Sequence, residues 1–299
     1  MLAPAIPKAE HLLSEVIGRV LYYSLGNEET LSTVARRFDV GIQAVMDANK
    51  DKKDSKEFKS GVTVILPTAH VLPPVREVGI VINLAEPRLY LFSLKEPPES
   101  FPISVGREGW EIPVGETSIS MKSRNSAWVQ TAPLRAEKPK LPLSVPPGSA
   151  NYLGELSLNL GWAGFAIHGT SMPEAIGGRI SHGSIRMYPE DIRRLFNAVE
   201  QGTKVTVIDA PYKLGWQGNT LFLQISSPRR HARFQRNILP SVTEIYGAVR
   251  EKAGAANIVW DAVALATNSR DGIPVPVAVT DAALLPSLAN RVNDFGEKK

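Results

Sequence analysis

Apolar positions along the chain change period several times, and each change marks an element. Val20-Leu21-Tyr22-Tyr23 is a β-prone run that ends at a Gly26-Asn27 turn. Leu31, Val34, Ala35 and Phe38 then recur at i, i+3, i+4 and i+7, which predicts a helix. Ile42, Val45 and Met46 predict a second short helix, followed by Asn49, a lysine-rich loop and an apolar strand, Val62 to Leu66, that stops at Pro67. Residues 20–67 therefore read as a βααβ unit. Residues 1–19, with Pro4, Pro7 and the apolar stretch His11 to Ile17, read as an N-terminal arm, and residues 68–77 as a linker stiffened by Pro73 and Pro74.

From Gly79 the pattern shortens to period two. Gly79 to Leu84 and Arg88 to Phe92 flank Ala85-Glu86-Pro87 as a hairpin, and further strand-like runs lie at Ile103 to Val105, Thr117 to Met121, Ala163 to Ile167 and Lys204 to Ile208. Between them a proline-rich excursion, Pro133 to Pro147, is long enough to predict a lid or a substrate wall. One helix is expected from Pro189 to Gln201. It has proline at its start, Glu190 and Asp191 in its first turn, Ile192, Leu195, Phe196 and Val199 on one face, and Gly202 after its end. Residues 78–209 thus form a mostly β domain with one packed helix. Beyond it, a strand at Leu221 to Ile225, helices at Val242 to Lys252 and Asp261 to Thr267, and an Asp271-Gly272 turn make 210–299 a C-terminal α/β subdomain. The fold class expected is mainly β with α.

Composition narrows the chemistry. Across 299 residues, 43% hydrophobic and 21% charged residues describe a folded globular chain, not a disordered one. No apolar run approaches the ~20 residues of a membrane-spanning helix, and Met1-Leu2-Ala3-Pro4 lacks a charged region followed by an apolar one, so any export signal is expected to have been removed or never to have been there. The formal charge of +4 is mild; its densest cluster, Arg229, Arg230, His231, Arg233 and Arg236, reads as a solvated loop or helix start, and no nucleic-acid partner is expected. Cysteine is absent, which excludes disulfides, thiolate zinc sites and iron–sulfur clusters.

Two of the five histidines lie beside strand ends among small residues, in Ile167-His168-Gly169-Thr170 and in Ser181-His182-Gly183-Ser184-Ile185-Arg186-Met187. Glycine beside each leaves room for a substrate backbone and permits tight turns. A histidine, a hydroxyl and an arginine in one loop make a nucleophile, base and anion-binding set, although loop histidines are also common as plain surface residues. No HExxH pattern and no nearby acidic ligand accompany them, so no metal and no cofactor are expected.

Two resemblances give these patterns a context. Gly26, Thr30-Leu31, Asn49, Gly61 and Pro67 follow one another as in a LysM module, the small peptidoglycan- and chitin-binding domain, which residues 20–67 resemble. Asn27-Glu28-Glu29 departs from the single Asp usual before the Thr, and a generic α/β unit packed on its neighbour is the alternative. The resemblance implies glycan binding with Asn49 among the binding residues. The His168 and Ser181–Met187 segments, with Ile112-Pro113-Val114-Gly115 and the Ile80–Asn83 and Leu89–Phe92 hairpin, resemble the YkuD-type L,D-transpeptidases over roughly residues 78–209.

That resemblance implies a β-rich catalytic domain and acyl transfer on murein tetrapeptide stems. Residue 184 stands at the nucleophile position, His168 is implied as its base, His182 as a second imidazole, Gly183 as part of the oxyanion hole and Arg186 as a carboxylate anchor; Gly169, Thr170 and Ser181 are implied in substrate binding. The family has cysteine where this chain has Ser184. A thiol ionises near pH 8.5 and a neighbouring imidazole lowers that further, whereas an alcohol needs its proton removed during attack. Three readings stay open: a cysteine replaced to silence the enzyme, a natural serine variant with altered chemistry, and a pseudoenzyme that only binds murein. The partners implied are stem peptides and glycan, with another stem, a lipoprotein lysine or water as acceptor, the last making the protein a murein hydrolase. The location implied is periplasmic or wall-associated.

Overall fold

The structure is a computed structural model that describes residues 14–52, 58–227 and 240–288. Its first unit is the βααβ arrangement that the sequence pattern predicts. Strands Leu21–Ser24 and Thr63–Leu66 pair antiparallel, Leu21 opposite Leu66, and helices Leu31–Arg37 and Ile42–Ala48 cover them. Thr30 starts the first helix with a reciprocal capping box to Thr33, which satisfies two otherwise unpaired amide groups. Leu25, Val34, Ala35, Val40, Val45, Val64 and Leu66 form its buried core. Each Val or Leu among them, removed from water, contributes roughly 1.5–3 kcal/mol.

Asn49 belongs to that interior. It is 1% exposed, its amide donates to the carbonyls of Val45 and Ile65, and its Oδ1 accepts the Ile65 amide. The side chain thus bolts the second helix to the closing strand and has no free edge to offer a glycan, which corrects the binding role expected for it.

The arm and linker are also more ordered than their prolines imply. Val16–Ile17 pairs antiparallel with His70–Val71, and the Glu15 amide donates to the Trp216 carbonyl at 2.7 Å. Val16 and Val71 are buried. Two short apolar runs that lack partners inside the first unit therefore zip together over the C-terminal sheet.

The central unit is a β-barrel. Eight strands close a ring in the order Gly79–Asn83, Arg88–Phe92, Glu99–Gly106, Ile185–Met187, Ala166–His168, Leu156–Leu160, Gly115–Arg124 and Lys204–Ile208, the last pairing back onto the first. Strand Arg179–Ser181 adds to the rim of Glu99–Gly106. Inward residues including Ile82, Leu89, Phe101, Ile103, Ile119, Leu158, Ile167 and Ile185 fill the core, and helix Pro189–Ala198 packs Ile192, Leu195 and Phe196 against it. The expected strand at Ala163–Ile167 begins only at Ala166, because residues 161–164 make a turn in which Gly164 takes φ +85°.

The C-terminal unit carries a sheet in the order Tyr212–Gln217, Thr220–Ile225, Val275–Val279 and Asn257–Ile258, with helices Val242–Ala253 and Trp260–Ser269 on it. It is joined to the barrel by a buried ion pair. Lys213 Nζ donates to both Glu86 oxygens (2.7 and 2.8 Å) and to Tyr90 Oη (2.7 Å). Burial lowers the Lys213 ammonium to about 8, a drop that the Glu86 carboxylate opposes. The whole is a mixed α/β fold with a central β-barrel flanked by helical regions. Among the described residues, no helix is long and apolar enough to cross a membrane. The arginine cluster at 229–236 lies outside the described residues.

Candidate active site

Strands Ala166–His168 and Ile185–Met187 run parallel, with Ile167 beside Ile185 and His168 beside Arg186. Residues level with each other on paired strands share a face, so the imidazole and the guanidinium point the same way. Ser184 stands two residues before Arg186 and is on that face too. The turn that delivers it depends on Gly183, whose φ of +91° is strained for any residue with a side chain. Ser181 braces the turn from beneath: it is fully buried, and its hydroxyl donates to the Ser184 carbonyl.

His168 is buried and oriented by its own loop. Its Nδ1 lies 2.6 Å from the Gly169 carbonyl oxygen, which only accepts, so Nδ1 carries the proton and Nε2 keeps its lone pair. Burial, reinforced by the Arg186 charge, lowers its pKa to about 4. The ring is therefore neutral at neutral pH. Arg186 has its own pKa lowered by burial, and its Nε is buried with no hydrogen-bond partner. A guanidinium left short of partners is suited to receive a carboxylate.

His182 occupies a different environment. Its ring packs edge-on against Trp110 with centroids 5.0 Å apart, and Nε2 lies 3.6 Å from Glu137 Oε1, beyond hydrogen-bond length. Burial lowers its pKa, helped by Lys138 and Arg107 and opposed by Glu137. Gly169 sits where an added Cβ would lie 3.3 Å from both Ile192 and the Leu153 carbonyl oxygen. Thr170 accepts the Met172 amide at 2.9 Å, so its hydroxyl shapes the loop.

These residues converge on one cleft of about 550 Å³, whose lining includes His168, Thr170, His182, Ser184 and Arg186. The proline-rich excursion is its opposite wall, as the sequence pattern predicts, but it is structured. Helix Ala132–Glu137 and a hairpin of Trp128–Val129 with Ser144–Val145 form a cap that contributes Trp128, Leu134, Lys138 and Leu141 to the lining. Glu137 ties the cap down: its carboxylate accepts from the Arg107 guanidinium and, at 3.0 Å, from Trp110 Nε1. No Asp or Glu is among the lining residues, so Lys138 and Arg186 leave the cleft electropositive. Of the residues singled out from the sequence, Asn49, Gly169, Ser181 and Gly183 are not among its lining residues. Trp110, Trp128, Glu137 and Lys138 escaped that reading. Trp110 lies two residues before Ile112 of the motif-like segment, while Glu137 carries no sequence signal at all. Among the described residues, no group of three His, Cys, Asp or Glu is placed to hold a metal.

The sequence has relatives among known proteins. The family profile described as YkuD, the L,D-transpeptidase catalytic domain, matches residues 77–207. The probable L,D-transpeptidase ErfK/SrfK of Salmonella typhimurium strain LT2 is 33% identical over 241 residues, covering 78% of this chain and 77% of the relative. The probable L,D-transpeptidase YbiS of Escherichia coli K12 is 32% identical over 275 residues, 88% of each. Among solved structures, the catalytic domain from an Enterococcus faecium L,D-transpeptidase aligns with TM-score 0.36 at 21% identity, covering 46% of this chain and 100% of that one.

Proposed function

The chain belongs to the L,D-transpeptidase family, whose reaction is acyl transfer on peptidoglycan, and we propose that its cleft performs that reaction through residue 184, His168 and Arg186. In the first half-reaction the nucleophile attacks the carbonyl of the third stem residue. His168 Nε2 takes its proton, backbone N–H groups at Gly183 and residue 184 receive the developing oxyanion, and D-alanine leaves with a proton. An amine of a second stem or of a lipoprotein lysine then attacks the acyl-enzyme. Arg186 holds a donor carboxylate while this proceeds. The observation that carries the reading is the level pairing of His168 and Arg186 beside Ser184 in an electropositive cleft.

Serine at 184 makes this chain a feeble catalyst. A base lowered to about 4 is poorly matched to an alcohol, and no thiolate is present to pair with the imidazolium and raise it. The same observation favours a second reading, in which the Ser184 protein holds stem peptides without turning them over. Residues 20–67 add glycan affinity as a LysM-like module through surfaces other than Asn49, and the protein works on the periplasmic side of the envelope. The test is Ser184→Cys with a tetrapeptide stem or a carbapenem: an intact-mass increase is expected for the cysteine variant alone. A cysteine variant that stays unmodified while an authentic family member reacts would overturn the assignment.

A further inference from the structure

The βααβ unit touches the barrel at both ends of the segment that carries residue 184, and also at strand Arg88–Phe92, where Arg88 donates to the Asp39 carbonyl at 3.1 Å. At the leading end, the Ile42 amide donates to the Ile176 carbonyl at 3.0 Å, and Gly41 lies so close to Gly177 that a Cβ on Gly41 would stand 2.6 Å from the Gly177 Cα. At the trailing end, Tyr188 Oη donates to the Val40 carbonyl at 3.2 Å, and Arg36 makes a two-pronged contact with Glu190 at 2.7 and 2.8 Å. Arg194 of the same barrel helix reaches Asp39 at 3.2 Å. Between these anchors lie Ile180, His182, Ser184 and Arg186, four of the cleft's lining residues.

The leading anchor involves chain with few other holds, whereas the trailing one bears on Tyr188 and a helix already packed on the barrel core. The 169–178 stretch contains only a single 3-10 turn, Pro173–Ala175, and Gly177 sits at φ +104°. Besides the Ile42 contact, it is held by the Gly169 amide, which donates to the Leu156 carbonyl at 3.1 Å, by Ser104, whose hydroxyl donates to the Ala175 carbonyl at 2.8 Å, and by the Val105 amide, which donates to the Gly178 carbonyl at 3.1 Å. Strand Ile185–Met187 is three residues long and passes directly into Tyr188. The strand itself is clamped between Ala166–His168 and Glu99–Gly106, so the βααβ unit acts on the turns at either end of it and most of all on the leading loop.

We infer that the βααβ unit is a positioning element of the cleft, holding residues 176–190 at both ends so that the nucleophile loop keeps its geometry whether or not any glycan is bound. The inference rests on the reading of residue 184 as the acylated position. Gly41→Ala is the selective perturbation. Gly41 has φ −75° and ψ 142°, which alanine adopts freely, so the new methyl adds no backbone strain and acts mainly by pushing against Gly177, beside a modest loss at the N-cap of helix Ile42–Ala48. In the full-length Ser184 protein, amide exchange of residues 176–187 should accelerate while the barrel strands 79–92 keep their protection. In a Ser184→Cys background, Gly41→Ala should slow carbapenem acylation by up to about 10²-fold through the maximal rate rather than through the binding constant. Tyr188→Phe removes only the bond to Val40 and should give a smaller change in the same direction; it carries the test if the alanine unfolds the βααβ unit. Unchanged exchange and acylation in both variants would overturn the inference. Failure of Ser184→Cys itself to acylate would instead strike the functional reading, leaving the exchange measurement to judge this one.

Discussion

Protonating His168 should cost the folded protein stability, and the amount follows from where the ring sits. An exposed histidine titrates near 6.5; burial and the neighbouring Arg186 bring this one to about 4. Because the folded-state value lies below the unfolded one, the unfolded chain binds the proton more readily. The contribution is therefore intact above pH 6.5, declines as pH falls through the interval from 6.5 to 4, and is fully lost below it. The gap of two to three units corresponds to about 3 kcal/mol. Urea unfolding at pH 7 and pH 4 measures the total. His70 and His182 shift in the same direction, so the comparison with His168→Gln isolates the wanted part. The variant should show the smaller loss on acidification, by about that amount, and the His168 ring resonances of the parent should titrate near pH 4. A titration near 6.5, or equal pH sensitivity of parent and variant, would show that the ring is not enclosed beside Arg186 and would remove the argument for Nε2 as the base.

Glu137→Ala should free the cap. Trp110 loses the acceptor for its indole N–H, so its fluorescence should shift to the red and stem-peptide binding by calorimetry should weaken, whereas an unchanged spectrum would deny the latch. Gly183→Ala forces a side chain to φ +91° at a cost of roughly 1–2 kcal/mol and should abolish thiol reactivity at residue 184 in the Ser184→Cys background with the barrel still folded by circular dichroism. Lys213→Met leaves Glu86 buried beside Tyr90 and should lower stability by about 3–5 kcal/mol, while adding Glu86→Leu should recover much of the loss; an additive double variant in thermal unfolding would contradict the buried pairing.

Local periodicity made the βααβ unit, the first barrel hairpin and helix Pro189–Ala198 readable, because each has one apolar face and clear punctuation at its ends. Ring closure was not readable, since pairing of Lys204–Ile208 with Gly79–Asn83 joins segments more than a hundred residues apart that carry no mutual signal. Strand Leu156–Leu160 carries the strand period, Leu156, Leu158 and Leu160 alternating with Ser157 and Asn159, but was missed behind the Pro-, Gly- and Asn-rich chain that precedes it. At the site, His168, His182 and Ser184 of the motif line one cleft. Motif position does not report side-chain direction, however: Asn49 and Ser181 proved to be interior braces, each spending its polar atoms on backbone. Glu137 shows the opposite limit, for its importance comes wholly from where a separately folded cap helix ends.

The two-rung stem formed by Val16–Ile17 and His70–Val71 has a topological consequence. Everything between Ile17 and His70 leaves the body and returns through neighbouring backbones, with Gly18 backed against the Thr68 carbonyl at the neck. A chain laid out this way is cut and rejoined easily, because a tight turn joining Ile17 to His70 spans only the ~5 Å between facing residues of an antiparallel pair. The βααβ unit is thus a cassette: it can be excised, or replaced by another domain whose own ends lie close together, without unthreading a strand of the barrel or of the C-terminal sheet.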